Sequence, residues 1–209
     1  MISKLQYISQ GSTESQHLVN IQKACDLGVN WVQLRLKNST EEKLLKTAIA
    51  AKEICLKSGA KIIINDHVLL AKEIDADGVH IGKNDLSPYE ARKIMGPSKI
   101  IGATANTLED CLEHQGTSIN YIGLGPFRFT NTKENLSPIL GLNGYKSIVE
   151  NLEKASLKIP IIAIGGIGKS DIEVLTKTKI HGIAVSGMLS GIELGKEDVL
   201  EIKALLNEK

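Results

Sequence analysis

Eight short apolar, β-branched runs recur along the chain with helical stretches between them, and this alternation restricts the fold more than any other feature. The runs are LQYIS at 5–9, VNWVQLR at 29–35, KIIIND at 61–66, GVHIG at 78–82, KIIGAT at 99–104, YIGLGP at 121–126, IPIIAIGG at 159–166 and GIAVSG at 182–187. Several are continuously apolar rather than alternating, as strands buried on both faces should be. The first intervening segment, SQHLVNIQKACDLG, sets Leu18, Ile21, Ala24, Cys25 and Leu27 on one stripe and closes on Gly28 as a C-cap. TEEKLLKTAIAAKEICLKSG repeats the pattern, with Ser39 or Thr40 as N-cap and Gly59 as C-cap. Shorter helices are expected over 68–75, 87–95, 107–115, 143–155 and 170–178, and a final one over 192–207.

Strand–helix units in unbroken series predict one α/β domain over 1–209, with parallel strands joined by right-handed crossovers. An open doubly wound sheet is the main competitor. Eight units, and no G-x-G-x-x-G after the first strand, favour a closed (β/α)8 TIM barrel. The 209 residues fall below the roughly 250 typical of that fold, so most loops must be short. The long segment 127–142 therefore stands out.

A net charge of +1 and 3% aromatic residues argue against nucleic acid and against an acidic membrane surface. No apolar run reaches the roughly 20 residues that span a bilayer, and MISKLQYIS lacks a signal-peptide core, so a cytoplasmic location is expected. Cys25, Cys55 and Cys111 show no zinc-ligand spacing and read as buried free thiols.

In a TIM barrel the chemistry lies at the C-terminal ends of the strands. Those ends carry Gln33, Arg35 and Lys37; Asn65 and Asp66; Lys83, Asn84 and Asp85; and Thr104 and Asn106. The sixth leads into Arg128, Thr130, Thr132 and Lys133, the seventh ends in Gly165-Gly166, and the eighth in Ser186-Gly187. The paired glycine turns sit where barrels commonly hold a phosphate, through backbone N–H groups and a short helix N-terminus. Asp66 and Asp85 end neighbouring strands and either share a hard cation such as Mg2+ or cap the helices that follow. Arg35, Lys37 and Lys133 imply a second anion, too highly charged for one glycine turn. His80 reads as a satisfied core imidazole, His67 as near the site, and His17, His114 and His181 as peripheral. No Ser-His-Asp arrangement, HExxH or P-loop is present.

VQLRLK at 32–37, IIINDH at 62–67, ADGVHIGKND at 76–85, IGATANT at 101–107, GPFRFTNTKE at 125–134 and AIGGI at 163–167 together resemble the thiamine-phosphate synthase family, in its order and spacing over nearly the whole chain. The resemblance implies a transferase that joins 4-amino-2-methyl-5-(diphosphooxymethyl)pyrimidine to 4-methyl-5-(2-phosphooxyethyl)thiazole, giving thiamine phosphate and diphosphate. It implies that Gln33, Arg35, Lys37, Asn65, Thr104 and Lys133 contact the pyrimidine diphosphate, with Arg35, Lys37 and Lys133 as the catalytic cations. It implies that Asp66 and Asp85 hold Mg2+. Thr130, Asn131 and Thr132 would face the thiazole phosphate, with Gly166, Ser186 and Gly187 around its phosphate group. Arg128 receives no role and reads as solvated. Members of the family are often homodimers, but no interface is legible in the sequence.

Three positions depart from the family pattern. Leu36 stands where many members have an acid, His67 where many have Arg, and Asn106 where a His is common. A thiazole tautomerase of the same fold is the nearest rival, yet it lacks the T-x-T-K loop and uses a His as proton shuttle; Asn106, Thr130, Thr132 and Lys133 speak against it. A non-catalytic thiamine-phosphate binder would not need Asp66, Asp85 and Lys133 together. Another phosphate-binding barrel isomerase would need an acid–base pair, which the rim does not offer.

Overall fold

The computed structural model describes residues 2–130, 138–191 and 194–208. Its strands are β1 (Leu5–Ile8), β2 (Trp31–Leu34), β3 (Lys61–Asn65), β4 (Gly78–Ile81), β5 (Ile100–Ala105), β6 (Tyr121–Leu124), β7 (Ile161–Ile164) and β8 (Gly182–Val185). Each pairs in parallel with the next, and β8 returns to β1, closing the barrel. The helices are α1 (Glu14–Asp26), α2 (Glu41–Lys57), α3 (Val68–Glu73), α4 (Pro88–Met95), α5 (Leu108–Glu113), α6 (Gly141–Lys154), α7 (Ile172–Thr176), α8 (Gly187–Ser190) and α9 (Lys196–Leu205). Among the described residues no helix is long and apolar enough to cross a membrane.

Local chemistry explains most boundaries. Thr13 and Thr40 accept N-capping bonds from Gln16 and Lys43, and Ser87 with Glu90 forms a capping box. Gly28 and Gly59 are not the caps themselves: Leu27 and Ser58 are, and the glycines lie one residue beyond with positive φ. The expected helix over 170–178 divides into a 3-10 turn, Lys169–Asp171, and α7. The expected helix over 192–207 is shorter: α9 starts at Lys196, where Asp198 accepts from Gly195 N at 3.0 Å. The separate short helix α8 precedes it.

Two apolar clusters fill the molecule. The larger lies between the barrel and its helices and includes the free, buried Cys25, Cys55 and Cys111. The smaller, with Trp31, Ile63, Tyr121, Ile162 and Ala184, fills the lumen. Trp31 of β2 meets Tyr121 of β6 edge-on at 4.9 Å, a contact that strands on opposite sides make only through the interior. That interior has little spare room. A Cβ at Gly102 would lie 2.1 Å from Tyr121 Cζ, and one at Gly123 would lie 2.9 Å from His80 Cε1. The missing side chains on β5 and β6 admit the two rings. Gly102→Ala is accordingly expected to destabilise the chain by about 2 kcal/mol through overpacking. A urea-unfolding midpoint indistinguishable from wild type would contradict this account of the lumen.

Candidate active site

A polar layer lies above the apolar floor of the lumen. Gln33 Nε2 donates to Gln6 Oε1 at 3.3 Å, and Gln6 Nε2 donates to Tyr121 OH at 3.5 Å. Tyr121 OH pairs with His80 Nδ1 at 3.0 Å, and His80 Nε2 pairs with Thr104 Oγ1 at 3.0 Å. Gln33 and Thr104, both expected at the pyrimidine, are thus joined through side chains of β1, β6 and β4. His80 is the satisfied core imidazole the sequence suggested.

Above this layer the strands stop pairing and side chains take over. Asp66 follows β3 with φ +66, an uncommon backbone region for a non-glycine residue. Its carboxylate converges with that of Asp85: a Cβ placed on Gly82 would lie 3.0 Å from Asp85 Oδ2 and 4.0 Å from Asp66 Oδ1. Neither residue caps a helix, which removes the alternative role. The cap of α3 is His67 and that of α4 is Ser87, while Asp85 Oδ2 accepts from Gly82 N at 2.7 Å. Partial desolvation, then the Asp66 carboxylate, push Asp85 above the usual carboxyl range. Desolvation also raises Asp66, but hydrogen bonds from Lys37 and Asp85, with the charge of Lys37, outweigh it and hold that group low. Lys37 Nζ pairs directly with Asp66 Oδ2.

The donor set suits a hard cation. Two carboxylates converge, and an ammonium is paired with one of them. No cluster of three or more His, Cys, Asp or Glu occurs among the described residues. A hard cation held by two carboxylates would take the rest of its shell from other oxygen donors and water. Lys83, also on this rim, is engaged elsewhere: its Nζ donates to Asp110 Oδ1 at 2.6 Å. Asp110 Oδ2 in turn accepts from the backbone of Asn106 at 2.8 Å and Thr107 at 3.2 Å. Leu36, the departure from the family acid, packs against the larger apolar cluster.

The opposite side of the mouth holds the glycine turns. Gly165 and Gly166 have φ +89 and +68, and a Cβ on Gly166 would sit 2.7 Å from Phe129 O. Glycine is needed there because the segment after β6 lies directly on the turn. Phe127 N donates to Ile164 O at 2.8 Å and Arg128 N to Gly165 O at 3.0 Å. Arg128 is not simply solvated. Its guanidinium forms a fork on Asp171 at 2.8 and 2.7 Å and lies 5.0 Å from the Phe127 ring. The fork ties the start of the 127–142 segment to the 3-10 turn after β7. Leu140 N returns to Pro126 O at 2.9 Å, fixing the other end. Asn131, Thr132 and Lys133 lie outside the described residues. Ser186, at the start of α8, donates to Gln10 Oε1 at 3.1 Å.

Arg35, Lys37, Thr130, Gly166, Ser186 and Gly187 line one cavity of about 900 Å3. Gln33 and Thr104 belong to the layer beneath it, and Lys37 links its wall to the Asp66–Asp85 pair. The same wall includes Ser9, Gln10 and His17, none of which the sequence placed at the site. His17 is not peripheral: it is 3% exposed and its Nδ1 lies 2.8 Å from Ser9 Oγ. The signal was available, since His17 continues the buried α1 stripe through Ile21, Ala24 and Cys25. His181 is peripheral, bound to Ile2 O at 2.9 Å.

Comparisons with known proteins agree on one family. The family model described as thiamine monophosphate synthase matches residues 5–189. A thiamine-phosphate synthase of Flavobacterium johnsoniae is 53% identical over 91% of this chain and 90% of its own. That of Flavobacterium psychrophilum is 48% identical over 100% of both. A thiamine phosphate pyrophosphorylase from Pyrococcus furiosus superposes with TM-score 0.81 at 30% identity, covering 98% of this chain and 95% of that one. A 3-hexulose-6-phosphate synthase, 15% identical with TM-score 0.70 and covering 97% of this chain and 99% of its own, shares the fold.

The carboxylate pair makes its own prediction. In metal-free protein, Asp66→Asn removes the neighbouring negative charge, so the Asp85 carboxyl should titrate at lower pH than in wild type. Side-chain carboxyl NMR reads that midpoint, and an unchanged or higher value would show that the two groups do not interact.

Proposed function

Because this chain belongs to the thiamine monophosphate synthase family and acts as a thiamine-phosphate synthase, a transferase, we propose that its barrel mouth carries the whole reaction within one catalytic domain. The pyrimidine diphosphate lies along Arg35, Lys37, Asn65 and the Asp66–Asp85 pair, with its ring over Gln33 and Thr104. The thiazole phosphate lies across the cavity, with its phosphate at Gly166, Ser186 and Gly187. The family resemblance assigns Thr130, Asn131 and Thr132 to the thiazole and Lys133 to the diphosphate. The observation that carries this reading is the convergence of both carboxylates and Lys37 at one edge of a cavity whose opposite wall holds the glycine turns.

The chemistry follows from charge. The bond between the exocyclic methylene and the diphosphate oxygen breaks, and its electron pair leaves with the diphosphate. The aminopyrimidine donates electron density to the methylene carbon, which makes a dissociative, carbocation-like path accessible. The thiazole nitrogen then donates its lone pair to that carbon, and the new C–N bond completes thiamine phosphate. That nitrogen carries no proton, so no general base is required. Mg2+ held by Asp66 and Asp85 would neutralise charge on the departing diphosphate. Arg35 and Lys37 do the same from the β2 end, and the polar layer beneath fixes the ring's position. The family resemblance further implies a homodimer acting on these two small molecules in the cytoplasm.

Purified chain with Mg2+ and both substrates should form thiamine phosphate and diphosphate, and chelation of the metal should stop it. Lys133→Ala should lower kcat by about a hundredfold, the scale of losing one charge-stabilising group, with little change in Tm. Absence of both products at millimolar substrate, or turnover of a thiazole tautomer instead, would sink the transferase reading.

A further inference from the structure

The ladder between β1 and β2 ends at Gln33, two residues before the rim arginine. Its last bond runs from Ser9 N to Gln33 O at 2.8 Å. The next donor on the β2 side, Arg35 N–H, finds no strand carbonyl: it donates to Ser9 Oγ at 3.1 Å. A side chain thus stands in for the backbone acceptor at the point where β2 leaves the barrel. Ser9 is itself held, since its Oγ lies 2.8 Å from His17 Nδ1.

We propose that Ser9 and His17 are positioning residues for Arg35, forming a strut that runs from α1 to the diphosphate end of the site. The proposal rests on the functional reading above, in which Arg35 meets the diphosphate.

Donor counting supports the strut. Ser9 Oγ accepts from Arg35 N–H, so its single proton is free to go to His17. That requires Nδ1 to be an acceptor, the tautomer with its proton on Nε2. Desolvation, aided by the nearby Arg35 charge, holds His17 below its ordinary pKa despite a backbone hydrogen bond at Gly11 and the charge of Glu14, which favours the neutral ring. Ser9 and His17 are each only 3% exposed, yet both lie on the wall of the cavity that Arg35 also lines. A histidine serving only to pack α1 has no need to face that cavity or to meet a hydroxyl bound to the arginine's own amide. Arg35 reaches the site from a backbone that has left the sheet, so its aim depends on what replaces the ladder. Sub-ångström drift of that backbone shifts a guanidinium several bonds away.

The test uses the full chain with Mg2+, titrating inorganic diphosphate calorimetrically and measuring KM for each substrate. Ser9→Ala, nearly isosteric, and His17→Leu should each weaken diphosphate binding and raise KM for the pyrimidine diphosphate by about fivefold to tenfold, the scale of one lost hydrogen bond. KM for the thiazole phosphate should stay within about twofold. His17→Asn keeps an acceptor near the Nδ1 position and should recover most of the loss. In an Arg35→Ala background, Ser9→Ala should add little, because both act through the same guanidinium. Lower Tm with unchanged diphosphate affinity in Ser9→Ala would overturn the strut, as would losses additive with Arg35→Ala. Wild-type protein that binds diphosphate yet makes no thiamine phosphate would sink the transferase reading alone. Failure to bind diphosphate at all would sink both.

Discussion

The strands of a closed barrel must end, and where they end their backbone N–H groups lose their partners. Satisfying those donors is the constraint on which the rest of this molecule's mouth depends. Ser9 Oγ serves Arg35 N, Asp85 serves Gly82 N, Asp110 serves Asn106 and Thr107, and Asp171 serves Gly168 N. Every one of these acceptors is a side chain, and most belong to the rim. Ser9, on the cavity wall, thus also satisfies a backbone donor. A substitution that looks remote from the chemistry can still move it, because it removes the acceptor that ends a strand.

Electrostatics supplies the second organising force. Two carboxylates drawn together over Gly82 repel when both are ionised. Lys37 offsets part of that repulsion from β2. The positive φ of Asp66 belongs to the same pattern: local backbone cost is accepted where it turns a carboxylate toward its partners.

Much of this was legible beforehand. The eight β-branched runs located every strand, and the rule that barrel chemistry sits at strand ends named Arg35, Lys37, Thr130, Gly166, Ser186 and Gly187, which the fold brings to one cavity. Other features were not legible. That neither Asp66 nor Asp85 caps the helix after it depended on where α3 and α4 begin, with His67 and Ser87 at their N-caps. Arg128 read as solvated because its partner, Asp171, is remote in sequence and arrives only when β7 pairs beside β6. The α1 stripe marked His17 as facing inward, but not that it meets Ser9 there.

By itself the sequence determined the architecture, since hydrophobic periodicity and strand count are local and cumulative. It also determined the family, since six motifs in order over nearly the whole chain leave few alternatives. Tertiary structure alone decided which polar groups touch. The polar layer from Gln33 through Gln6, Tyr121 and His80 to Thr104 joins residues from five strands, and the Ser9–His17 contact joins a strand end to a helix turn. Hydrogen bonds act over about 3 Å, and no spacing along a chain encodes that distance. It exists only once the barrel has closed and the glycines at 102 and 123 have let the interior rings settle.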